Sequence, residues 1–275
     1  MNSKIINCGI TGYRGVLGSE ILKRNSNFKY IKFRGNIINK VDIKNWLEKN
    51  NIEIILHFAA LVPINEVKKN PSYANKVNFI GTKNLVNEIL KHNKIKWFFF
   101  ASTSHVYNYS INNIKETYLT KPQSFYGKTK LKAEKYIQSK LKNKIPYCIG
   151  RIFSFTHKKQ NINYVIPRII QKAKSNQKNL ILKNLSHYRD FISTNDICRA
   201  IKTLYQKRAV GIYNIASGKK ILISDIAKII FKKLNKKYII EENSKKTFLF
   251  ANVDKIRSLN WRPKDNIKKI LNQLF

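Results

Sequence analysis

The sequence predicts a doubly wound α/β fold, in which a parallel sheet carries helices on both faces and a smaller carboxy-terminal portion is added. Short apolar runs alternate with stretches of helical periodicity along most of the chain, the pattern of repeated strand and helix units. Three glycines, Gly12, Gly15 and Gly18, stand directly behind the first apolar run. The continuous apolar run from Ile95 to Ala101 suits a strand covered on both sides.

The first strand is read from Lys4 to Ile10, followed by turn and helix in TGYRGVLGSEIL. A second strand, Tyr30 to Arg34, comes at the spacing of a βαβ unit, and a helix near Asp42 to Asn50 leads to a third apolar run, Ile52 to Leu61. In Ile80 to Lys91, the residues Leu85, Val86, Ile89 and Leu90 share one helical face ahead of the central strand. Further on, Lys130 to Leu141 reads as helix, Pro146 to Phe153 as strand, and Val165 to Lys174 and Asp196 to Tyr205 as helices. Ser224 to Leu234 and Asn266 to Phe275 make the last part mainly helical.

With 43% hydrophobic and 12% aromatic residues in 275, the chain holds enough apolar side chain for a sizeable core, which argues against intrinsic disorder. No stretch rich in Pro, Gly or Ser separates two independent halves, so one compact body is expected. The longest apolar run, Ile52 to Val62, falls well short of the ~20 residues that cross a bilayer. The amino terminus lacks a basic stretch followed by an apolar one, so no signal peptide and a cytoplasmic location are expected. Cys8, Cys148 and Cys198 lie in apolar or helical surroundings without CxxC spacing, and they read as small buried hydrophobes with no disulfide framework and no zinc site.

The 54 Lys plus Arg against 15 Asp plus Glu leave a formal charge of +39. Such a field attracts nucleic acid, membrane surfaces or anionic small molecules. The lysines are spread over the chain, in pairs such as Lys68-Lys69, Lys219-Lys220 and Lys245-Lys246, and no nucleic-acid motif accompanies them. The charge is therefore read as a background favouring a phosphorylated ligand, without a dedicated nucleic-acid site.

The glycine spacing after a strand has a mechanical reading. Gly12 permits a tight turn, Gly15 lets backbone approach a pyrophosphate, and Gly18 allows helix to pack on strand. Tyr13, Arg14, Val16 and Leu17 complete this candidate dinucleotide cradle at a helix amino terminus. A site for NAD usually presents a carboxylate to the adenosine ribose after the second strand, whereas one for NADP presents a cation. Between Gly18 and Asp42 the only carboxylate is Glu20, while Lys32 and Arg34 lie at the strand end, so the balance leans to NADP.

Tyr126 and Lys130 form a YxxxK spacing at the start of a helix, which sets both on one face. A phenol with a pKa of about 10 is a poor base, but a neighbouring ammonium favours the phenolate and makes it a usable acid/base. Upstream, the central strand ends in Ser102-Thr103-Ser104-His105, which puts hydroxyls where ligands bind in such sheets.

The ordered set TGYRGVLG, LHFAALV, ASTSHVY, PQSFYGKTKLKAE, RIF, YRDFISTND and YNIASG is similar to the extended short-chain dehydrogenase/reductase family, in its NAD-dependent nucleotide-sugar epimerase/dehydratase/reductase branch. The match runs from about Lys4 to Leu271. It implies a Rossmann-type dinucleotide domain at 1–153 and 191–216, and an interleaved sugar-nucleotide portion at 154–190 and 217–275. By resemblance, Thr103 hydrogen-bonds the reacting hydroxyl or ketone, Tyr126 is the acid/base, and Lys130 orients the cofactor ribose. Phe58, Ala59, Ala60 and Asn78 resemble cofactor neighbours, Asn36 and Ile37 fall beside the adenosine, and Arg189 matches the arginine that holds the diphosphate. Ser104, His105 and Ser154 fall on the substrate side, and Asp196 reads as a helix-capping acid. Relatives often dimerise through the helices around Asn78 to Lys91 and Tyr126 to Leu141, so a homodimer is expected.

The departures matter as well. Dehydratases of this branch carry Asp-Glu after the catalytic Thr, where Ser104 and His105 stand, so dehydration is disfavoured. His105 takes the place of a cysteine used in epimerisation by relatives, whose partner histidine matches Tyr164, and both a catalytic and a structural role stay open for it. Ser154 replaces a substrate-contacting Asn, and Gly35-Asn36 replaces a Gly-Asp that contacts adenine. The resemblance implies an NAD(P)-dependent epimerase or ketoreductase acting on a nucleotide-activated hexose, with hydride transfer expected at C4, as in polysaccharide biosynthesis. A non-catalytic dinucleotide sensor or scaffold of the same fold is the alternative.

Overall fold

The structure, a computed structural model, describes residues 5–24, 27–62, 64–177 and 180–275; Lys4 lies outside them. The chain divides into two compact units, each assembled from three segments. The first comprises Met1–Asn108, Leu119–Ile152 and Ala200–Tyr213, and the second Tyr109–Tyr118, Phe153–Arg199 and Asn214–Phe275. The expected single body is thus two, and because the chain passes from one to the other several times, no linker composition marks a boundary.

The first unit alternates β1 (Ile6–Thr11), α1 (Val16–Leu22), β2 (Phe28–Lys32), α2 (Lys40–Glu48) and β3 (Ile54–His57). Then follow α3 (Ile64–Lys69), α4 (Pro71–Asn75), a π-turn (Lys76–Gly81) that runs into α5 (Thr82–Ile89), and β4 (Trp97–Thr103). A short 3-10 turn (Ser104–Val106), α6 (Phe125–Leu141) and β5 (Tyr147–Ile152) complete this run. The sheet order is β2-β1-β3-β4-β5-β8, where β8 is Gly211–Ile215, and the first five strands pair in parallel. The doubly wound Rossmann-type fold is therefore the fold of the chain. β1 neighbours both β2 and β3, so the winding reverses at β1, and in sheets of this kind ligands bind at the carboxyl ends of the strands flanking that switch point.

Several boundaries move for local reasons. β2 runs from Phe28 to Lys32; beyond it Phe33 N–H still bonds Ile10 C=O of β1 at 2.9 Å, and its ring packs edge-on against Trp46, 5.2 Å between centroids. β3 ends at His57, and the rest of its apolar run is a loop fixed by Asn78, whose side chain bonds both the N–H and the C=O of Leu61 at 2.7 and 3.0 Å. α6 begins five residues early, capped by Ser124, whose Oγ accepts from Gly127 N–H at 3.1 Å. In β4, Trp97 through Phe100 are wholly buried, and the indole N–H of Trp97 is satisfied by Ala209 C=O at 2.9 Å. The three cysteines are buried and unbridged.

The second unit carries α7 (Val165–Lys174), β6 (Ile181–Lys183), β7 (Tyr188–Arg189), α8 (Thr194–Gln206), β9 (Ile221–Leu222), α9 (Ile223–Lys233), β10 (Ile239–Glu241), β11 (Phe248–Leu249), α10 (Asp254–Arg257) and α11 (Ile267–Asn272), with the start of α8 in this unit. Its core joins Ile166, Ile169 and Ile170 of α7 to Ile226, Ile230 and Phe231 of α9 and Leu271 of α11. Asp196 does not cap α8. Ser193 does, accepting from Asp196 N–H at 3.0 Å, while the buried Asp196 carboxylate accepts from the N–H groups of Lys264 and Asp265 at 3.0 and 2.9 Å and pairs with Arg199. Among the described residues no helix is long and apolar enough to cross a membrane. Replacing Asp196→Ala strands those amides and should cost about 2–4 kcal/mol in urea unfolding, with faster amide exchange in α11 than elsewhere in the unit.

Candidate active site

The turn after β1 is shaped by three different demands on three glycines. Gly12 has φ +69°, and a Cβ there would lie 2.5 Å from Ala59 N, so only glycine lets this turn meet the loop after β3. A Cβ on Gly18 would lie 2.4 Å from Gly12 O, so the helix seats directly on the turn. A Cβ on Gly15 would meet only Gly12 O, at 3.3 Å, so the ground before α1 is open to a ligand. Gly15 caps α1 and supplies no side-chain acceptor, which leaves the first-turn amides to an outside anion. This cradle fits a dinucleotide pyrophosphate.

Around the turn the cations gather on one ring. Arg14 Nε donates to the Tyr13 hydroxyl at 3.1 Å, and Lys32 Nζ lies 5.9 Å from the Tyr13 ring centroid. Val16 and Leu17 open α1, and Arg34 is exposed just beyond β2. Asn36 spends its side-chain oxygen on Ile38 N–H at 3.0 Å, and its own N–H bonds Asp42 Oδ2 at 2.7 Å. Asp42, which the sequence offered only as a helix start, brings the carboxylate missing from position 36 to the same turn. Ile37 is buried and packs on Gly81. Phe58, Ala59 and Ala60 line the half-buried loop after β3.

At the end of β4, Thr103 Oγ1 accepts from His105 N–H at 3.2 Å and caps the short turn that holds Ser104 and His105. The first turn of α6 presses on it so closely that a Cβ on Gly127 would lie 2.2 Å from His105 O. The His105 and Tyr126 rings stand 6.3 Å apart, edge to face. Tyr126 is buried against Val67 and Ala74, and Lys130, one turn further on, is 2% exposed with its ammonium 3.8 Å from the Phe100 ring centroid. Burial lowers the Lys130 pKa to about 7, against the attraction of Glu134, which raises it. Thr103, Ser104, His105 and Tyr126 are thus gathered at the carboxyl end of β4, and Lys130 packs on Phe100 of the same strand.

Sequence reasoning missed the shell beneath them. Glu134, 0% exposed, accepts from Ser102 Oγ and pairs with Arg151, whose Nη2 lies 2.7 Å away, and the Arg151 guanidinium sits 4.6 Å from the Tyr107 ring centroid. Burial opposes the Arg151 charge, yet the bonds to Glu134 hold its pKa above the ordinary value. The signal was present in KLKAE and RIF, quoted as motifs but assigned no contact. Asn78, counted among cofactor neighbours, has both amide hydrogens committed, to Leu61 O and to Thr129 Oγ1 at 3.2 Å.

In the second unit, Arg189 Nη2 donates to Thr247 Oγ1 at 2.9 Å and Nη1 to Tyr188 O at 2.8 Å, and burial lowers its pKa, with Tyr109 opposing. Its neighbour Asp190 is fully buried and accepts from Ser217 N–H and Oγ–H at 2.8 and 2.6 Å and from Gly218 N–H at 2.8 Å. Burial raises the Asp190 pKa to about 6 against those bonds. Ser154 pairs with Phe191 by a backbone bridge, and Tyr164 precedes α7 with burial raising its phenol pKa.

The cradle and the Tyr-Lys pair define an enzyme of the extended short-chain dehydrogenase/reductase class. The family model of GDP-mannose 4,6 dehydratase matches residues 16–274. A dTDP-D-glucose 4,6-dehydratase of Dictyostelium discoideum is 31% identical over 218 residues, 74% of this chain, which spans half the length of that relative. A putative UDP-glucose 4-epimerase of Methanocaldococcus jannaschii is 27% identical over 301 residues, 96% of each chain. The structure of RMD from Pseudomonas aeruginosa, complexed with NADPH, superposes with a TM-score of 0.90 at 17% identity, covering 98% of this chain and 97% of that one. The chain belongs to the GDP-mannose 4,6-dehydratase family, within the nucleotide-sugar epimerases and dehydratases of the extended short-chain dehydrogenases/reductases.

The buried lysine has a consequence for stability. Its folded pKa of about 7 lies below the ordinary 10.5, so folding disfavours its charged form. That penalty is complete below pH 7 and fades as pH rises towards 10.5, where the unfolded chain also loses the proton. Lys130→Met should therefore raise stability by roughly 3 kcal/mol at neutral pH and below, with the gain shrinking towards pH 10, as measured by urea unfolding across a pH series.

Proposed function

We propose that the chain is an NADP-preferring ketoreductase of a nucleotide-activated hexose, working reversibly at C4 with Tyr126 as acid/base. The observation that carries this reading is Lys130. An ammonium is seldom buried without a task, and this one shares a helix face with a buried tyrosine, beside the strand end where ligands of such sheets bind.

When bound, the nicotinamide ring supplies the hydride. Tyr126 gives its phenolic proton to the carbonyl oxygen as charge develops there, and the Lys130 ammonium stabilises the phenolate left behind. Thr103 Oγ1 accepts from His105 N–H and keeps its own proton to donate to the same oxygen. One hydride and one proton convert ketone to alcohol. Gly12 to Gly18 would cradle the pyrophosphate, Arg189, anchored on Thr247, would hold the sugar nucleotide's diphosphate, and Ser154 would face the sugar.

NADP is supported by Arg14 and Lys32 around Tyr13 and by Arg34 beside them, while the Asp42 carboxylate is engaged by Asn36 N–H. The P. aeruginosa protein of the same fold was solved with NADPH. A second reading, epimerase, is favoured by the M. jannaschii relative, matched over nearly its whole length. There the cofactor returns its hydride to the opposite face and stays bound.

Tyr126→Phe should reduce turnover on a panel of 4-keto and 4-hydroxy sugar nucleotides by at least about a hundredfold, with dinucleotide Kd within about threefold of wild type. An unchanged rate removes Tyr126 from the role. Denaturing the purified protein and assaying what it releases separates the readings: the reductase should yield well under one dinucleotide per chain and turn over NADPH in preference to NADH. One tightly held NAD per chain would mark the epimerase.

A further inference from the structure

His57 ends β3 in complete burial, and its contacts have a fixed direction. Thr82 Oγ1 lies 2.8 Å from Asn78 C=O, which can only accept, so the Thr82 hydroxyl proton points there. The contact between Thr82 Oγ1 and His57 Nε2, 2.9 Å, must then be a donation from Nε2–H. Burial, then repulsion from Lys130, lowers the His57 pKa to about 3, so the ring is neutral and Nδ1 is an acceptor. Thr11 Oγ1, 2.6 Å from Nδ1, therefore donates to it, and in turn accepts from Ala59 N–H at 3.2 Å. Beyond Thr82 the path continues through Asn78, whose Nδ2 donates to Thr129 Oγ1, and Thr129 donates to Tyr126 C=O at 2.8 Å.

We propose that His57 is a positioning residue that sets the glycine turn, the Ala59 loop and the tyrosine-bearing helix in one register through this polarised chain. Thr11 immediately precedes Gly12, and Ala59 N is the atom against which Gly12 is packed. Tyr126 and Thr129 stand one turn apart on α6. A neutral imidazole with one donor and one acceptor joins these two hydroxyls, and an aliphatic or permanently charged side chain cannot. The charged group that acts on it is Lys130 from α6, which in turn feels Glu134 one helical turn further along. The proposal rests on the assignment of Tyr126 and Lys130 to hydride-transfer chemistry.

The test uses the full chain. Nuclear magnetic resonance of isotope-labelled histidine should find His57 neutral and protonated at Nε2 from about pH 5 to 9. His57→Phe should raise dinucleotide Kd about tenfold and lower kcat up to about a hundredfold, and His57→Gln, which keeps one donor and one acceptor, should recover most of both. Should His57→Phe fail to fold, Thr82→Val takes its place: it removes the acceptor of Nε2–H together with the hydroxyl donated to Asn78 C=O, and should shift the amide resonances of Gly12 and Thr129. A proton on Nδ1, a titration in that pH range, or a folded His57→Phe or Thr82→Val protein with wild-type Kd and kcat would overturn the proposal. Wild-type protein that binds no nicotinamide dinucleotide would instead sink the hydride-transfer reading, and the tautomer and amide shifts would still judge His57.

Discussion

A lysine ammonium cut off from water is the constraint around which the first unit is arranged. Moving such a charge out of water costs several kcal/mol even after relaxation, and the ring of Phe100 returns only about 2 kcal/mol. Glu134, a turn away, could offset the rest, but it is already shared between Ser102 and Arg151. The result is an ammonium held near neutrality, with its pKa at about 7. The same exclusion of water governs its neighbour: burial first, and then repulsion from Lys130, keep a proton off His57, so it enters its hydrogen bonds as a neutral ring. A destabilised cation one helical turn from a tyrosine suits the proposed proton transfer at neutral pH, and a core selected for stability alone would have used an apolar side chain here.

Much of this was legible from the residues. The alternation of apolar runs with helical periodicity led to the fold, because strands buried on both faces leave continuous apolar segments such as Trp97 to Phe100. The glycine triplet was legible by spacing, although the structure separates its causes: Gly12 and Gly18 are dictated by backbone contact, and Gly15 by the open ground before it. The YxxxK pair was legible because a helix brings positions four apart onto one face. Strand and helix ends were less so. Ser124 started α6 early, an effect that depends on the Gly127 N–H its hydroxyl meets and that apolar pattern does not name.

What stayed hidden lies in contacts between positions far apart in the chain. His57 meets Thr11 across 46 residues and Thr82 across 25, and Glu134 meets Ser102 across 32. A lone histidine in an apolar run carries no mark of the hydroxyls that will flank it. In YRDF the arginine attracted the functional reading, yet Asp190 beside it has the denser set of partners, joining the Ser217-Gly218 turn to Ala251 from a distant part of the chain. The large positive charge also resolves locally into packing: Lys132 lies 4.2 Å from the Phe79 ring centroid, and Lys220 lies over Tyr188, Phe248 and Phe250. Long lysine stems covering aromatic faces make the charge partly a covering for the core.

The turn after β4 bears most directly on the kind of reaction proposed. Elimination of water needs an acid and a base beyond the tyrosine, and relatives that dehydrate supply them from the two positions occupied here by Ser104 and His105. Ser104 is buried, with its C=O accepting from Tyr107 N–H, so it closes the turn and offers no carboxylate. His105 is half-buried beside Tyr126, and its backbone is pinned by Thr103 on one side and by the start of α6 on the other. Tyr126, with the His105 imidazole 6.3 Å from its ring at a turn whose own residues carry no carboxylate, suits the proposed movement of one proton for each hydride. That stoichiometry is the one the proposed reduction at C4 would use, since a ketone becomes an alcohol by gaining one hydride and one proton.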